Sequence, residues 1–260
     1  MESPTLKEDV MNSSTLLDKC NTLKVRAFSD LLAHQENSPE YDHMSFSERL
    51  SLLLDAQLQA NSDKRVATLT RQAKLRYPYM FIDDIDYTLY PKLKAKVINQ
   101  LVECEWITHR AHLLIIGPTG TGKTSLACIF ANAAIRQHIP TLFYRLATLL
   151  LELIVAKKEG VLVKFIRKIN RAKLLILDDW GNALMNSDER HLLFELIESR
   201  DQNSSLLITS QYPIETWHDA FQDSSIADSV LDRIVHSAHI IDRTKEPSIR
   251  QLLSARKGGV

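Results

Sequence analysis

The 260-residue chain has no net charge, since 32 Lys and Arg balance 32 Asp and Glu, and its pI is about 7.1. No overall positive field therefore advertises a nucleic-acid partner, although a local basic patch averages out in such a sum. Glycine (7) and proline (8) are scarce, which leaves little room for long disordered tracts. The only cysteines are Cys20, Cys104 and Cys128. They lie far apart, with no paired spacing and no histidine pattern to complete a metal site, so they read as thiols of a reducing compartment. Long apolar runs are also missing. LATLLLELIVA is broken by Glu152, bounded by Arg145, Lys157 and Lys158, and too short to span a bilayer. The opening MESPTLKEDVMNSSTLL is acidic and lacks a basic stretch followed by an apolar run, so no secretory signal is expected. These absences describe a cytoplasmic chain with no membrane partner. With 45% hydrophobic and 25% charged residues, it suits one large domain, or an ordinary domain with a smaller companion.

What is present divides into two regions. From Leu16 to about Arg76 the pattern is helical with no strand signal. Ser45-Phe46-Ser47-Glu48 fits a reciprocal helix cap, and Phe46, Leu50, Leu53, Leu54 and Leu58 then recur at helical spacing as one apolar face. KRVATLTRQAKLR follows, with Lys64, Arg65, Arg71, Lys74 and Arg76 and no acid among them; by itself such a run is a solvated face. Tyr77-Pro78 ends the helix, because proline disfavours helical geometry in the residue before it. The expected division is a helical domain over 1–78 and a second domain over 79–260, with MFIDDIDYTLYPKLK as a linker at the boundary.

Beyond residue 110, short aliphatic runs alternate with longer helical stretches. HLLII (112–116), TLFYR (141–145), KLLIL (173–177), SLLIT (205–209) and AHII (238–241) suit strands buried on both faces. An α/β fold follows: a parallel sheet flanked by helices, with its ligand site at the C-terminal ends of the strands.

Gly117-Pro118-Thr119-Gly120-Thr121-Gly122-Lys123-Thr124 matches the P-loop pattern in full and lies between a strand and a helix, as that motif requires. Its backbone N–H groups can turn inward around phosphate oxygens, while the helix start near Lys123 and Ser125 adds its positive dipole end. Lys123 should reach the β- and γ-phosphates, and Thr124 should place its hydroxyl on Mg²⁺. KLLILDDW adds Asp178 for the Mg²⁺ shell and Asp179 beside the γ-phosphate, where it can orient water. Two acids in this place favour ATP hydrolysis over phosphotransfer by a small-molecule kinase, for which no substrate lid is visible. Thr209-Ser210-Gln211 ends the next strand and is either a γ-phosphate sensor or an ordinary loop. Arg233 and Arg250 are candidates for stabilising transferring charge, not separable on this basis from surface arginines.

In their order, GPTGTGKTSLA, LLILDDWG, ITSQYPIETWHDAF, IADSVLDRIVHSAHII and SIR resemble the IstB family of transposition helper ATPases, a branch of the AAA+ superfamily. MSFSERLSLLLDAQLQ and LVECEWITHRAHLLIIGP extend the likeness towards the amino terminus, from about Leu23 to the end of the chain. The resemblance implies a small all-α N-terminal domain for DNA binding or oligomerisation, followed by an AAA+ ATPase domain. It implies a bacterial homo-oligomer with ATP at subunit interfaces that assembles on duplex DNA, bends it and recruits a partner transposase. Under it, Lys123 and Thr124 are Walker A residues and Asp178 and Asp179 Walker B. Ser210 or Gln211 takes the sensor-1 position, Arg233 is an arginine finger acting in trans, and Arg250 is the sensor-2 arginine. It also implies DNA contact for Lys64, Arg65, Arg71, Lys74 and Arg76, and for KKEGVLVKFIRKINRAK with Lys157, Lys158, Lys164, Arg167, Lys168 and Arg171. An alternative within the same superfamily is a DnaC-like loader of a replicative helicase.

There are two departures. The family pattern Gly-Glu-Ser-x-Arg is replaced by Glu246-Pro247-Ser248-Ile249-Arg250, which alters the approach of Arg250 to the phosphates. Asp179 stands where many AAA+ enzymes carry the longer Glu, which implies slow hydrolysis and long-lived ATP-bound assemblies.

Overall fold

The computed structural model describes residues 16–89, 93–182 and 184–249. Contacts divide the chain into two compact units, 1–67 and 68–260.

In the first unit the described residues form helices only. Helix α1 (Arg26–Asn37) meets the first part of α2 (Phe46–Ala73). Gln35 and Arg49 exchange hydrogen bonds at 3.2 Å in both directions, and Phe28 N–H donates to Gln57 at 3.2 Å. The expected cap is present: Ser45 N–H donates to the Glu48 carboxylate at 2.8 Å, and Glu48 N–H donates to Ser45 Oγ at 3.3 Å. The Ser45 hydroxyl also donates to that carboxylate at 2.7 Å, and it and the Ser45 N–H hold the Glu48 carboxyl below its usual range. The expected apolar face is not a buried face. Only Leu53 is buried, while Phe46, Leu54 and Leu58 are exposed. The polar pairs above join α1 and α2, while Phe46, Leu54 and Leu58 stay open to solvent.

Residues of α2 from Thr68 onward cluster with the second unit, as do Arg76, Tyr77 and the segment read from the sequence as a linker. There α3 (Ala95–Val102) and α4 (Glu105–Thr108) precede a five-stranded sheet. Its strands are β1 (His112–Ile116), β2 (Thr141–Arg145), β3 (Leu174–Trp180), β4 (Ser205–Ser210) and β5 (Ala238–Asp242). The order is β2-β3-β4-β1-β5, with every pair parallel. The connecting helices are α5 (Lys123–Arg136), α6 (Leu146–Lys158), α7 (Leu162–Asn170), α8 (Ser187–Arg200) and α9 (Ser224–Val235). The aliphatic runs behave as two-sided strands, for every residue of β1 and β4 is buried. One face of the core packs Leu114, Leu177 and Ile208 against Leu149, Leu193 and Ile234, and each such side chain contributes roughly 1.5–3 kcal/mol by leaving water.

One strand departs from the sequence reading. KLLIL was expected to end with Asp178 at its tip, yet β3 continues through Asp178 and Asp179 to Trp180. The pairing with β4 shifts register between Leu177 and Trp180, and Asp179 has φ +62°. This bulge turns two successive acids towards one end of the sheet, which a regular strand would send to opposite faces. Among the described residues, no helix is long and apolar enough to cross a membrane. The three cysteines are buried and unpaired; burial pushes the Cys104 thiol up to about 12 and that of Cys128 to about 11.

Candidate nucleotide site

Strand β1 delivers Gly117 to a place where no side chain fits. A Cβ there would lie 2.8 Å from Cβ of Arg243 and 2.9 Å from its carbonyl carbon. Gly120 (φ +85°) and Gly122 (φ +80°) adopt left-handed backbone, and Gly122 caps α5 so that its first N–H groups face the loop. Lys123 lies across the loop, its ammonium donating to the carbonyls of Gly117 (2.7 Å) and Pro118 (2.9 Å). Burial lowers its pKa, Asp178 and Asp179 oppose that shift, and Arg243 adds to it. A polyphosphate would supply the charge this ammonium lacks.

Asp178 is fully buried. Its Oδ1 accepts from the hydroxyls of Thr124 (2.9 Å) and Thr209 (2.6 Å), while its Oδ2 has no hydrogen-bond partner. A buried unsatisfied carboxylate oxygen beside a hydroxyl is the donor set that a hard divalent cation needs. Among the described residues no three His, Cys, Asp or Glu side chains converge as a metal cage. The residues therefore fit Mg²⁺ held by one carboxylate and one hydroxyl, with phosphate and water completing its shell.

Asp179 leaves the bulge towards β2. There Arg145 donates to its carboxylate through Nη2 (2.9 Å) and Nε (3.2 Å). Arg145 stands directly beside Asp178 in the β2–β3 register. The sequence reading treated it only as the border of an apolar run. Parallel register offered a signal, because TLFYR and the LLILDD run end at one level of the sheet.

The expected strand-end trio separates by role. Thr209 is buried and bridges both acids, donating to Asp178 and accepting from Asp179 N–H at 3.2 Å. Ser210 turns away: its hydroxyl donates to the Trp180 carbonyl at 2.9 Å and accepts from Tyr212 N–H. Gln211 comes to the loop, accepting from Thr119 Oγ1 at 2.8 Å and donating to Asn182 at 2.6 Å. Arg145 and Thr209 thus join Thr124 as polar partners of the acids, in positions assigned no separate role from sequence.

The cavity over the loop holds about 560 Å³, within the range of small-ligand sites. Thr119, Gly120, Gly122, Lys123, Thr124 and Ser125 line one side of it, and Arg145, Asp179 and Gln211 another. Met80, Asp84 and Leu89 of the supposed linker line the same cavity, as does Tyr77 just before it. Helix α5 anchors that segment through Asn132, which donates to the Met80 carbonyl at 2.8 Å, and through Arg136, which stacks 4.1 Å from the Phe81 ring centroid. A second cavity of about 560 Å³, near Trp106 and Ile240, contains none of these groups.

The chain beyond β5 straps the loop from the other side. Arg243 is buried, paired with Glu246 and donating to the Thr121 carbonyl; Ile249 N–H donates to Gly120 at 2.9 Å. Glu246, the first residue of the segment that departs from the family pattern, thus has a partner inside the fold. Arg250 lies outside the described residues. Arg233 does not line the cavity of its own chain. It donates to the Ser229 carbonyl at 2.7 Å, lies 3.6 Å from Glu198 and 3.8 Å from Asp201, and faces the Phe194 ring.

The basic residues scatter. Lys64 and Arg65 belong to the first unit; Arg71, Lys74 and Arg76 belong to the second. Arg76 sits at the nucleotide cavity. Lys157 is tied to Asp188 at 2.9 Å. Lys158 is exposed at the end of α6, and Lys164, Arg167, Lys168 and Arg171 are exposed on and just beyond α7.

Residues 18–256 match the sequence model of a family described as IstB-like ATP binding protein. An insertion-sequence ATP-binding protein of Sinorhizobium fredii is 36% identical over 234 residues, covering 88% of this chain and 94% of its own. The ATP-binding protein of insertion sequence IS1162 from Pseudomonas fluorescens is 36% identical over 206 residues, covering 79% and 89%. Among solved structures, AMPPCP-bound DnaA from Aquifex aeolicus superimposes with a TM-score of 0.57 at 16% identity, over 71% of this chain and 55% of that one. DnaI gives 0.54 at 18% identity, over 63% and 90%. These last two likenesses concern the fold, which is that of AAA+ proteins.

Proposed function

The chain belongs to the family of IstB-like ATP-binding proteins, and on that premise we propose that it is a Mg²⁺-dependent ATPase whose ATP-bound form assembles on duplex DNA. There it bends the DNA and recruits the transposase of its insertion sequence. The observation that carries the ATPase reading is Asp178, buried between two hydroxyls with one oxygen unsatisfied, directly beneath the phosphate loop.

In this reading the N–H groups of Gly120, Gly122 and Lys123 surround the phosphates, and the Lys123 ammonium moves from the loop carbonyls to the β- and γ-oxygens. Thr124 and Asp178 would hold Mg²⁺, which would supply charge neutralisation to the phosphates. Asp179 orients the attacking water once its carboxylate leaves Arg145. Gln211, tied to Thr119 at the cavity, senses the γ-phosphate. Ser210, bonded to Trp180 backbone, shapes the strand end and does not touch the nucleotide. Tyr77, Met80 and Leu89 receive the base. Arg233 completes the site of a neighbouring subunit, which its absence from its own cavity supports. An ATP-driven homo-oligomer also gives the exposed Phe46, Leu54 and Leu58 stripe a use, because such apolar surface favours association.

The test is ATP hydrolysis and duplex binding by the purified chain with Mg-ATP, Mg-ADP and no nucleotide. Binding of random-sequence duplex that requires Mg-ATP and weakens steeply with salt supports the reading. A chain that hydrolyses ATP yet binds duplex equally with ADP, or captures a replicative helicase and no transposase, overturns the transposition part.

A further inference from the structure

Two basic stretches that are far apart in sequence meet in space. The end of α2 brings Leu69, Gln72 and Lys74; the end of α7 brings Lys168, Arg171 and Ala172. Between them lies the N-terminal end of edge strand β2, Pro140 to Leu142, as the floor of a groove of about 360 Å³. Every one of these residues belongs to the second unit. No acidic side chain lines the groove, and none occurs anywhere in 161–173. Lys74, Lys168 and Arg171 are exposed, and among the described residues none of them forms a salt bridge. Lys157, by contrast, is held by Asp188.

We propose that this groove is a single binding track for the phosphodiester backbone of duplex DNA, with Lys74 on one wall and Lys168 and Arg171 on the other. It rests on the proposed DNA-binding function and narrows it to three residues. Charge complementarity selects the occupant: three uncompensated cations around a polar and apolar floor suit a strand with one negative charge per residue. Gln72 and Thr141 can bond phosphate or sugar oxygens, and Leu69, Pro140 and Leu142 can meet the sugar edges. The groove lies at the end of β2 opposite Arg145. At about 3.3 Å per residue, five residues of strand keep the two sites roughly 13 Å apart, so a change in one need not touch the other.

The experiment measures duplex affinity against salt concentration in the presence of Mg-ATP for the full chain and for Lys74→Gly, Lys168→Gln with Arg171→Gln, and all three together. Lys74 has left-handed backbone (φ +54°), which glycine adopts freely, so Lys74→Gly removes the charge without straining the fold. Removing one cation that neutralises a phosphate should flatten the slope of log affinity against log salt by about 0.9. Lys157→Gln should change the slope far less. A chain that binds no duplex under any condition sinks this inference together with the function it rests on. A chain that binds duplex with an unchanged slope in the triple variant sinks this inference alone. So does a triple variant whose only defect is a lowered Tm, because Lys168 and Arg171 then serve just to offset the C-terminal dipole of α7.

Discussion

Arg145 and Asp179 face each other at 2.9 Å across the ends of two adjacent parallel strands, and this contact occupies the carboxylate proposed to orient water. Asp179 is in turn displaced from regular strand geometry by the bulge at φ +62°. Asp and Asn tolerate such backbone better than longer side chains, which gives a local reason for Asp in this position. If Asp179 has the proposed role, a short acid held by an arginine would make hydrolysis slow unless the pair opens.

Replacing Arg145 by Ala should therefore free Asp179. The pair is more than one-third exposed on both sides, so solvent screening limits its strength to about 1 kcal/mol at most, or roughly a fivefold change in population. Steady-state hydrolysis without DNA should rise two- to fivefold, while nucleotide affinity stays within about twofold. A large loss of turnover would show instead that Arg145 serves the phosphates directly.

Thr209→Val removes the hydroxyl that donates to Asp178 and accepts from Asp179 N–H, yet nearly keeps the side-chain volume. Outer partners of this kind are worth about 10–100-fold in metal affinity. The Mg²⁺ concentration for half-maximal hydrolysis should rise by about tenfold or more. An unchanged requirement would remove Thr209 from the metal site.

Lys123 yields a pH prediction. Burial depresses its folded-state pKa below that of the unfolded chain, so the unfolded state binds more protons and stability rises with pH through that interval. Affinity for ATP moves the other way, because the ammonium that meets the phosphates loses its proton. Titration towards alkaline pH should show ATP binding weakening before the ordinary lysine range, as Tm without nucleotide rises relative to Lys123→Met. Parallel curves for the two proteins would contradict the assignment.

Arg233→Ala should abolish most hydrolysis while leaving ATP binding intact; in GTPases such arginines contribute roughly 10³–10⁵ in rate. Mixing it with Lys123→Ala should restore part of the activity, since one protein keeps a sound loop and the other a sound arginine. Hydrolysis indifferent to Arg233 removes catalysis at an interface.

The phosphate loop and the five strands were legible because each rests on local pattern: glycine spacing in one case, unbroken aliphatic runs in the other. The strap formed by Arg243 and Glu246 was not, since a buried ion pair three residues apart looks in sequence like ordinary surface charge. Residues 80–94 read as a linker because Asp, Tyr and Pro are turn formers, and only Asn132 and Arg136 on α5 reveal that Met80, Asp84 and Leu89 wall the cavity. The stripe from Phe46 to Leu58 read as one apolar face, and Phe46, Leu54 and Leu58 of it are open to solvent. Helical spacing shows that apolar residues share a face, but not that anything in the same chain covers it.

The most direct test weighs the particles formed on a short duplex, by mass photometry or sedimentation, with a non-hydrolysable ATP analogue and Mg²⁺, with ADP, and with Lys123→Ala. Multimers on DNA with the analogue alone, and monomers in the other two cases, are the expected result. A chain that stays monomeric under all three conditions, or assembles on DNA regardless of nucleotide and of Lys123, contradicts the account.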